Sequence, residues 1–544
     1  MKNTYFLPLG GTGEIGMNLN LYGYGEGKDI DWFMVDCGVT FSQAGLPGID
    51  LQMPDPTFIA SQKEKLMGII LTHAHEDHIG AMPFIWPYFK CPIYTTEFTA
   101  ALLMEKFDEY NIDYTNKIIT HNDGEIINIG NFQVKAIGLT HSIPEMNALL
   151  IKSPSANIFH TGDWKIDKDP IVGDGFNKEK LLDFENIEID ALVCDSTNAM
   201  TPGISGSELS VKNSLEKIIG KIDGRIFLST FASNVARLCS VAEAAAKHDR
   251  HVVLSGRGMH RIVNAAKSVG LLGGLPDFVD EENAGYLPAE KTLILCTGSQ
   301  GEYRAALSKI ARDEHQHIVA EKGDTVIFSS KIIPGNEAGI MNLQNQFAKK
   351  DIKIITGKDE FVHVSGHPCQ DELIEMYNLI QPKSIIPVHG EFRHLVANAN
   401  LAKSNGIKNS LVIENGTIVK ISSKDVSIDQ QVESGRLYKD GKIIIYDYES
   451  PSNERSKISF TGLIVISIVL QNNKIKSKPK IKMIGLTEFD EEGIKLSDWV
   501  NQALDNVISS KNKSGNLESK IKNAVIRQIR EVWGKKPKVE IIFH

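Results

Sequence analysis

The sequence predicts a mixed α/β (α+β) protein of several domains, in which a middle domain is inserted into the first one. Short apolar runs alternate with helical patterns along most of the 544 residues. Residues that bind metals are concentrated before residue 200 and return after residue 360. Residues 459–544 have the pattern of a separate, small α+β unit. A composition of 42% hydrophobic and 23% charged residues is that of an ordinary globular protein.

Residues 71–80, LTHAHEDHIG, crowd four potential metal ligands into six positions: His73, His75, Asp77 and His78. The apolar run 67–71 before them is typical of a buried strand, and the apolar residues after them have helical spacing. Neutral imidazoles and carboxylates are ligands that zinc and manganese accept, and three or four must converge on one ion. We therefore predict a metal centre at a strand-to-helix turn. The weaker alternative is a solvated polar loop.

The missing ligands follow strands elsewhere in the chain. His141 comes directly after a predicted strand, and Asp163 follows a short strand and a glycine. His141 would complete the site of His73 and His75, and Asp163 would bridge two ions because a carboxylate has two oxygens. His389, after the strand 384–387, would complete a second site with Asp77 and His78. Asp36 also ends a short strand, at 32–35, where loops often carry chemistry.

The sequence pattern changes at about residue 204, where helical segments begin to alternate with β-rich runs. The helices are predicted at 208–219, 234–248 and 258–270, and the strands at 225–229, 251–254, 292–296 and 325–328. This pattern indicates an α/β domain with a parallel sheet. Its strand ends carry small polar residues that can present backbone N–H groups to phosphates, although plain turns would look the same.

The domain boundaries follow from these changes. We predict a first metal-binding part at 1–203, an inserted domain at 204–358, the second metal-binding part at 359–436, a linker at 437–458 and a C-terminal α+β domain at 459–544. In that last domain we expect strands at 463–470, 480–484 and 538–543 and helices at about 491–509 and 517–533. The second helix carries four apolar residues on one face: Ile521, Val525, Ile529 and Val532.

Charge is distributed unevenly over the chain. Residues 451–544 carry 17 Lys and Arg against 10 Asp and Glu, a net charge of +7 that leaves −16 for residues 1–450. A basic tail suits an RNA or a subunit contact. A solvated lysine-rich surface explains it equally well.

Three other patterns narrow the class of protein. Residues 11–16 match the GxGxxG dinucleotide fingerprint, but a strand-like segment follows instead of a helix, so a tight turn between strands is expected. The six cysteines form no CxxC pair and are interpreted as reduced thiols, mostly buried. The N-terminus lacks a signal-peptide pattern, and the apolar run 463–470 is too short to span a bilayer. A cytoplasmic location without a membrane partner is expected.

The assembled motifs resemble the metallo-β-lactamase superfamily. Asp36, the HxHxDH cluster, His141 and Asp163 match its core pattern, and Asp195, His367 and His389 are similar to the additional motifs of its β-CASP nuclease branch. Strings such as GGTGEIGMN, LTHAHEDHIGAMP, HTGDWKID, LCTGSQGE, HVSGH and PVHGE resemble the bacterial ribonuclease J family over residues 5–440. The resemblance implies a four-layer αββα domain with an inserted β-CASP domain. The sequence departs from the usual residues of the family at Glu145-Met146, Tyr303-Arg304 and Pro368-Cys369. None of these positions is a ligand, but the resemblance does not define the finer shape of the RNA channel.

The resemblance also implies an activity and residue roles. Family members are 5′→3′ exonucleases and endonucleases on RNA that prefer a 5′-monophosphate and act in mRNA decay and rRNA maturation. Two divalent ions are expected, with zinc favoured over manganese or magnesium; they would activate a water for attack on the phosphodiester. Asp36 would orient a ligand histidine, Asp77 would be catalytic as well as a ligand, and His367 would be the general acid, oriented by Asp195. The expected substrate-binding residues are Ser233, Asn234, His363, Val364, Ser365, Gly366 and His367. A homodimer or homotetramer through the C-terminal domain is expected.

Two alternatives stay open at this point. One is a DNA-processing β-CASP nuclease, in which the position of His367 tends to be valine. The other is an RNA-binding partner subunit with weak catalysis, which the presence of all seven proposed ligands disfavours. A lactonase or glyoxalase-type hydrolase shares HxHxDH but would need neither the insertion nor HVSGH.

Overall fold

The computed structural model of the chain describes residues 2–41, 46–182, 187–472, 474–509 and 516–544. Within them the chain forms two compact units. The larger comprises residues 2–41 and 52–437, and the smaller comprises residues 46–51 and 438–544. Among the described helices, none has the length and apolar character needed to cross a membrane.

Two mixed sheets form the metal-binding part of the larger unit. The first has eight strands, in the spatial order Val426–Gln431, Thr417–Ile421, Asn3–Gly10, Leu19–Glu26, Asp29–Val35, Leu66–Ile70, Ile93–Thr95 and Ile118–Thr120. The second has seven strands, in the order Ile126–Ile129, Phe132–Gly138, Asn147–Lys152, Asn157–His160, Ala191–Asp195, Ser384–Val388 and Asn409–Ser410. The strand after the insertion thus lies beside strands that precede it, as the return of metal-type residues predicted.

The two sheets face each other across one apolar core. Phe33 and Ile70 of the first sheet pack with Leu149 and Val193 of the second in a fully buried cluster. Helices Gln370–Ile380 and Phe392–Ser404 cover the outer face of the second sheet through a separate apolar cluster. Helix Glu97–Glu109 lies outside the first sheet and contacts its edge strand. The layers are therefore helix, sheet, sheet, helix, which confirms the αββα fold class.

The inserted domain is built on a six-stranded sheet in which every neighbouring pair is parallel. Its strands, in spatial order, are Val279–Asp280, His251–Ser255, Thr292–Cys296, Ile226–Ser229, Thr325–Phe328 and Lys353–Ile355. Its helices are Glu208–Ile219, Val235–Lys247, Arg257–Ser268, Ala306–Ala311 and Glu337–Lys349. Because crossover helices cover both faces of a parallel sheet, its four interior strands are mostly apolar and buried. The predicted α/β class of this domain is confirmed.

The smaller unit contains a three-stranded sheet and three helices. The strands lie in the order Lys480–Ile484, Leu463–Ile468 and Lys538–Phe543, and the helices are Ser452–Thr461, Leu496–Ser509 and Leu517–Trp533. The apolar faces of the two longer helices pack on one face of the sheet.

Two sequence expectations differ from this unit. A polar linker was expected at 437–458, but its last part belongs to the helix Ser452–Thr461. This helix buries little apolar surface, so its sequence lacks the apolar stripe by which a helix is predicted. The helix expected from about 491 begins at Leu496. Asp490 accounts for the delay: its side chain accepts hydrogen bonds from the backbone N–H groups of Glu492 and Ile494 and holds a turn there.

Candidate metal centre

The predicted ligands meet at one edge of the two-sheet sandwich. Strands Asn157–His160, Ala191–Asp195 and Ser384–Val388 are parallel neighbours, so the residues that follow them emerge side by side. Strands Asp29–Val35 and Leu66–Ile70 are parallel neighbours in the facing sheet. Strand order thus explains why ligands more than three hundred positions apart in sequence converge.

Three groups of side chains each offer donor atoms within 4.8 Å of one another: His73, His75, His141 and Asp163; Asp77, His78, Asp163 and His389; and Asp163, Asp195, His367 and His389. The first two are the two ligand sets expected from the sequence. Asp163 belongs to all three groups and lies between them.

In the first group, three imidazole nitrogens converge. His75 Nδ1 lies 3.1 Å from His73 Nε2 and 3.2 Å from His141 Nε2. The far nitrogen of His141, Nδ1, donates to the Gly366 carbonyl at 2.6 Å, so the hydrogen of the neutral ring is on that side. His141 therefore presents a lone pair to the centre.

Thr72 fixes His73 in the same way. The Thr72 hydroxyl donates to Asp36 at 2.8 Å, so it accepts from His73 Nδ1, 3.0 Å away, and the His73 Nε2 lone pair points inward. Burial lowers the pKa of His73 and His141 well below the ordinary value and that of His75 to about 4. All three rings are thus held neutral, the form that binds metals.

In the second group, inward nitrogens face carboxylate oxygens. His78 Nδ1 lies 2.7 Å from Asp36, leaving His78 Nε2 at 3.1 Å from Asp163. Burial disfavours a charged His78, but the surrounding carboxylates, Asp163 foremost, raise its pKa well above the ordinary value.

A relay through Thr197 sets the orientation of His389. The Thr197 hydroxyl donates to Asp195 at 2.7 Å and lies 2.8 Å from His389 Nδ1, so it accepts from that nitrogen. His389 Nε2 is then directed at Asp77, 3.2 Å away. Burial opposes a charged His389 ring, yet Asp163 and the neighbouring carboxylates raise its pKa well above the ordinary value.

This donor set fits divalent cations. In the first group the neutral rings turn lone pairs toward one another, and such contacts lack a positive charge between them. In the second group the carboxylates keep a second proton on the His78 and His389 rings, and a divalent cation would take the place of those protons. Imidazoles and carboxylates are the ligands of zinc and manganese. The residues that would hold two ions are His73, His75 and His141 for one and Asp77, His78 and His389 for the other, with Asp163 between them.

Sequence reasoning missed Thr72, Thr197 and Asn18. Asn18 donates to the Asp77 carbonyl at 3.0 Å and lies 3.1 Å from His78 Nε2. Thr72 directly precedes the HxHxDH cluster, and Thr197 follows Asp195 by two positions. Both could therefore have been found in the sequence as neighbours of motif residues. Such partners fix ring orientation and ligand basicity.

The glycine-rich residues 11–16 form part of the wall of the centre. The Gly11 carbonyl accepts from the His389 backbone N–H at 2.7 Å, and Thr12–Gly13 pairs with Gly390–Glu391. Gly11 has a φ of +86°, and a Cβ there would lie 2.3 Å from Asn18 Oδ1, so only glycine fits. Asp36 and His389 themselves adopt positive φ values of 64° and 51°. Such backbone strain is typical of functional sites.

His367 lies at the mouth of the centre. Its Nδ1 is 2.8 Å from Asp195 Oδ2, and its side chain is 22% exposed, whereas the Asp195 side chain is fully buried. Burial opposes the charged ring, but Asp195 outweighs it and raises the pKa of His367. The His367 ring stacks on His389 with centroids 5.4 Å apart.

The expected substrate-binding residues divide into two sets. Ser233 of the inserted domain lies 3.1 Å from His75 Nε2, and Ser365 Oγ accepts from the Asn198 amide at 2.8 Å and the His367 N–H at 3.1 Å. Gly366 contacts His141 as described above. These residues and His367 surround the centre.

Asn234, Val364 and His363 are placed differently. Asn234 is buried; its side chain accepts from the Arg237 N–H at 2.8 Å and donates to Glu208, so both of its polar atoms are used within the fold. Val364 is also buried. His363 has a buried Nδ1 without a hydrogen-bond partner among the described residues, and burial, with the nearby charge of Arg237, lowers its pKa to about 3.

The two-sheet fold and its buried His/Asp centre define the class: a metallo-hydrolase of the β-lactamase type. Family models agree with this and match four consecutive parts of the chain. They are the beta-lactamase superfamily domain at residues 31–185, the ribonuclease J beta-CASP domain at 223–347, the Zn-dependent metallo-hydrolase RNA specificity domain at 351–412 and the ribonuclease J C-terminal domain at 453–544.

Relatives that align with nearly the whole chain identify the family within this class. The chain is 44% identical to a ribonuclease J of Sinorhizobium meliloti, over 98% of this chain and 96% of the relative. It is 34% identical to ribonuclease J of Corynebacterium glutamicum, over 97% and 74%, and 34% identical to ribonuclease J 1 of Streptococcus pyogenes, over 96% and 93%. The chain therefore belongs to the ribonuclease J family.

A solved structure supports the fold alone. A protein of unknown function from Enterococcus faecalis superposes with a TM-score of 0.54 at 19% identity, covering 77% of this chain and 100% of that one.

Proposed function

We propose that this protein is a metal-dependent ribonuclease that degrades RNA from the 5′ end, prefers a 5′-monophosphate and also cuts internally, acting in mRNA decay and rRNA maturation. The observation that carries the proposal is the double cluster of inward-facing imidazole nitrogens and carboxylates around Asp163, bordered by Ser233 of the inserted domain. Membership of the ribonuclease J family supports RNA as the substrate class.

The metal ligands are assigned as the two groups described above. When bound, the two divalent ions would act as Lewis acids that activate a water and neutralise the phosphodiester. Zinc suits this mixture of imidazole and carboxylate, and manganese or magnesium are the alternatives. The Asp77 side chain is 29% exposed, so its carboxylate is accessible from solvent. Asp77 therefore serves as a ligand and as an acceptor for the proton of the attacking water.

His367 is the proposed general acid. Its Nδ1 faces the buried Asp195, which holds the ring and stabilises its charged form, while the partly exposed side of the ring is free for substrate. A protonated Nε2 can then donate to the 3′-oxygen that leaves when the phosphodiester breaks. Asp195 is a positioning residue, because it acts through His367.

The turn 363–367 is the proposed site for the 5′-phosphate. Because the Gly366 carbonyl is bound to His141, this turn is held at a fixed position relative to the metal ligands. A Cβ on Gly366 would lie 2.8 Å from both His141 Cε1 and Ser142 Oγ, so the turn can approach His141 this closely only with glycine. A terminal phosphate bound here by Ser365, Gly366 and Ser233 would set the cut at a constant distance from the end.

The decisive experiment compares one RNA carrying either a 5′-monophosphate or a 5′-triphosphate, with wild type and His75→Ala. We expect wild type to release mononucleotides from the 5′-monophosphate RNA faster than from the triphosphate RNA, and His75→Ala to lose both reactions. The exposed His251→Ala is the matched control and should behave as wild type. Equal cleavage of a DNA strand of the same sequence, or full activity of His75→Ala, would contradict the proposal.

A separate experiment tests whether the bound 5′-phosphate sets the position of the cut. Replacing Ser365 by leucine fills the turn, so 5′-monophosphate exonuclease activity should fall more than internal cutting of a circular RNA, which has no end. If both activities fall equally, the 5′-phosphate does not bind at this turn.

We also propose that the protein forms a homodimer or homotetramer through the C-terminal domain. The test compares the molar mass of the wild type with that of a chain ending at residue 450, both measured by light scattering.

A further inference from the structure

One surface of the smaller unit is not used by the proposed active site. Between residues 474 and 482 the sequence reads KIKSKPKIK, with lysine at every second position. Lys476, Lys478, Lys480 and Lys482, which we call the lysine row, are all exposed. The last two belong to the edge strand Lys480–Ile484.

Strand geometry places Lys480 and Lys482 on the open face of the sheet. Ile481 and Met483 alternate with them and pack against the apolar cluster formed with helices Leu496–Ser509 and Leu517–Trp533. Successive side chains of a strand point to opposite faces, so Lys480 and Lys482 project away from those helices. They are about 6.7 Å apart along the strand, so each can contact a different phosphate.

Charge on this face is unbalanced. Glu540, in the other edge strand, lies within ion-pair distance of Lys538 and Lys522. In the part of the chain that the structure describes, no carboxylate lies within ion-pair distance of any member of the lysine row. The row is therefore a line of uncompensated positive charge, which attracts a polyanion.

The character of the face indicates how that polyanion is bound. Next to Lys482 and Lys480, the central strand presents the half-buried Val465 and Ser467. Among the described residues of these three strands, the open face carries no aromatic side chain on which a base could stack. Lysines without stacking partners contact the backbone and do not distinguish bases.

Edge strands also use lysine to prevent pairing with other chains. That explanation covers Lys480 and Lys482, which lie in the strand, but not the continuation of the same alternation at Lys476 and Lys478, outside it.

We propose that the lysine row is a sequence-independent binding surface for the phosphate backbone of single-stranded RNA, separate from the active site. The inference rests on the proposed function in taking RNA as the polyanion. It assigns the basic C-terminal domain a role in holding the substrate, without a part in bond cleavage.

The test uses full-length protein carrying His75→Ala, so that RNA is bound without being degraded. Binding of labelled oligouridylate and oligoadenylate is measured by fluorescence anisotropy at several salt concentrations, with all four lysines of the row replaced by alanine. We expect at least about tenfold weaker binding of both RNAs, and a salt slope smaller by up to about 2.8, since each neutralised phosphate on a single strand contributes about 0.7.

The matched control removes four exposed positive charges from the helix Leu517–Trp533 and the segment that follows it: Arg527→Ala, Arg530→Ala, Lys535→Ala and Lys536→Ala. It should bind RNA within about twofold of the unmodified protein, because exposed charges away from the contact are screened by salt. An equal loss in both variants would overturn the inference, because net charge alone would then explain it. Unchanged RNA binding with loss of binding to anionic phosphatidylserine vesicles, or with new self-association by light scattering, would also overturn it.

A cleavage assay separates this inference from the proposed function. With His75 restored, the variant lacking the lysine row should keep the kcat of wild type and show a raised KM for long RNA. If wild type cleaves RNA but the variant has an unchanged KM, the binding surface is refuted and the nuclease stands. If wild type does not cleave RNA at all, the proposed function fails first.

Discussion

Two buried polar clusters of the larger unit differ in whether their hydrogen-bond donors and acceptors match. The first is the metal centre. The second, which we call the junction cluster, lies where the chain enters and leaves the inserted domain and consists of Lys165, Asp167, Glu208, Arg237 and Glu372. The junction cluster is almost completely buried, as are most ligands of the metal centre, and both clusters contain several carboxylates.

The junction cluster satisfies its own charges. Arg237 binds Glu208 at 3.0 Å and donates to the carbonyls of Ser329 and Val362. Lys165 binds Asp167 at 2.9 Å. Glu372 accepts from the backbone N–H groups of Ser205, Ile166 and Cys369 and from the Ser205 hydroxyl, at 2.7–3.0 Å. A network completed in this way is a structural device.

The metal centre does not match its own donors and acceptors. The inward nitrogens of His73, His75 and His141 approach one another at 3.1–3.2 Å as lone pairs of neutral rings. A buried polar cluster therefore points to a ligand when its donors and acceptors do not match, and to a structural role when they do. Three variants test this distinction.

The largest expected effect is that of Asp163→Asn. Because Asp163 is common to all the ligand groups, we expect metal content to fall and RNA cleavage to decrease by more than about a thousandfold, or about 4 kcal/mol of transition-state stabilisation. Plasma mass spectrometry and a cleavage assay measure both.

Its matched control is Asp167→Asn, four residues along the same segment and also buried, but in the junction cluster. That variant should lose stability and keep its metal. If it lost metal as fully as Asp163→Asn, the distinction between the clusters would be refuted.

A smaller effect is expected for Arg237→Met. It leaves Glu208 buried without its partner, so we expect the free energy of unfolding to fall by about 3 kcal/mol, measured by urea denaturation. The double variant Arg237→Met with Glu208→Leu should recover most of that loss, because no unpaired charge stays buried. Metal bound per folded chain should not change in either variant. A double variant that is less stable than the single one would mean that the pair contributes net stability.

The smallest effect is expected for Thr197→Val, which has nearly the shape of threonine but no hydroxyl. It breaks the relay from Asp195 to His389 while leaving every ligand in place. We expect metal affinity to weaken by about 10- to 100-fold, measured by competition with a fluorescent chelator. Thr201→Val, an exposed threonine nearby, is the control. Wild-type affinity in Thr197→Val would show that ligand orientation does not depend on the relay.

Much of the fold could be predicted from local patterns. The parallel sheet of the inserted domain and the helix Leu517–Trp533 follow from apolar periodicity, which reflects burial directly. The helix Ser452–Thr461 was missed because it buries little apolar surface and therefore carries no such period. Asn234 was expected in a phosphate loop, yet its side chain caps a helix and binds Glu208, a partner 26 residues away that no local pattern indicates.

The sequence by itself determined which kinds of ligand the site contains, because the HxHxDH spacing and the histidines and aspartates after strands are local features. Only the tertiary structure decided where the hydrogens of those ligands lie. Thr72, Thr197 and the Gly366 carbonyl hold the outer nitrogens of His73, His389 and His141, and two of these three contacts join residues 192 and 225 positions apart. Hydrogen bonds act over about 3 Å, so a partner distant in the chain counts only after folding has brought it within that distance.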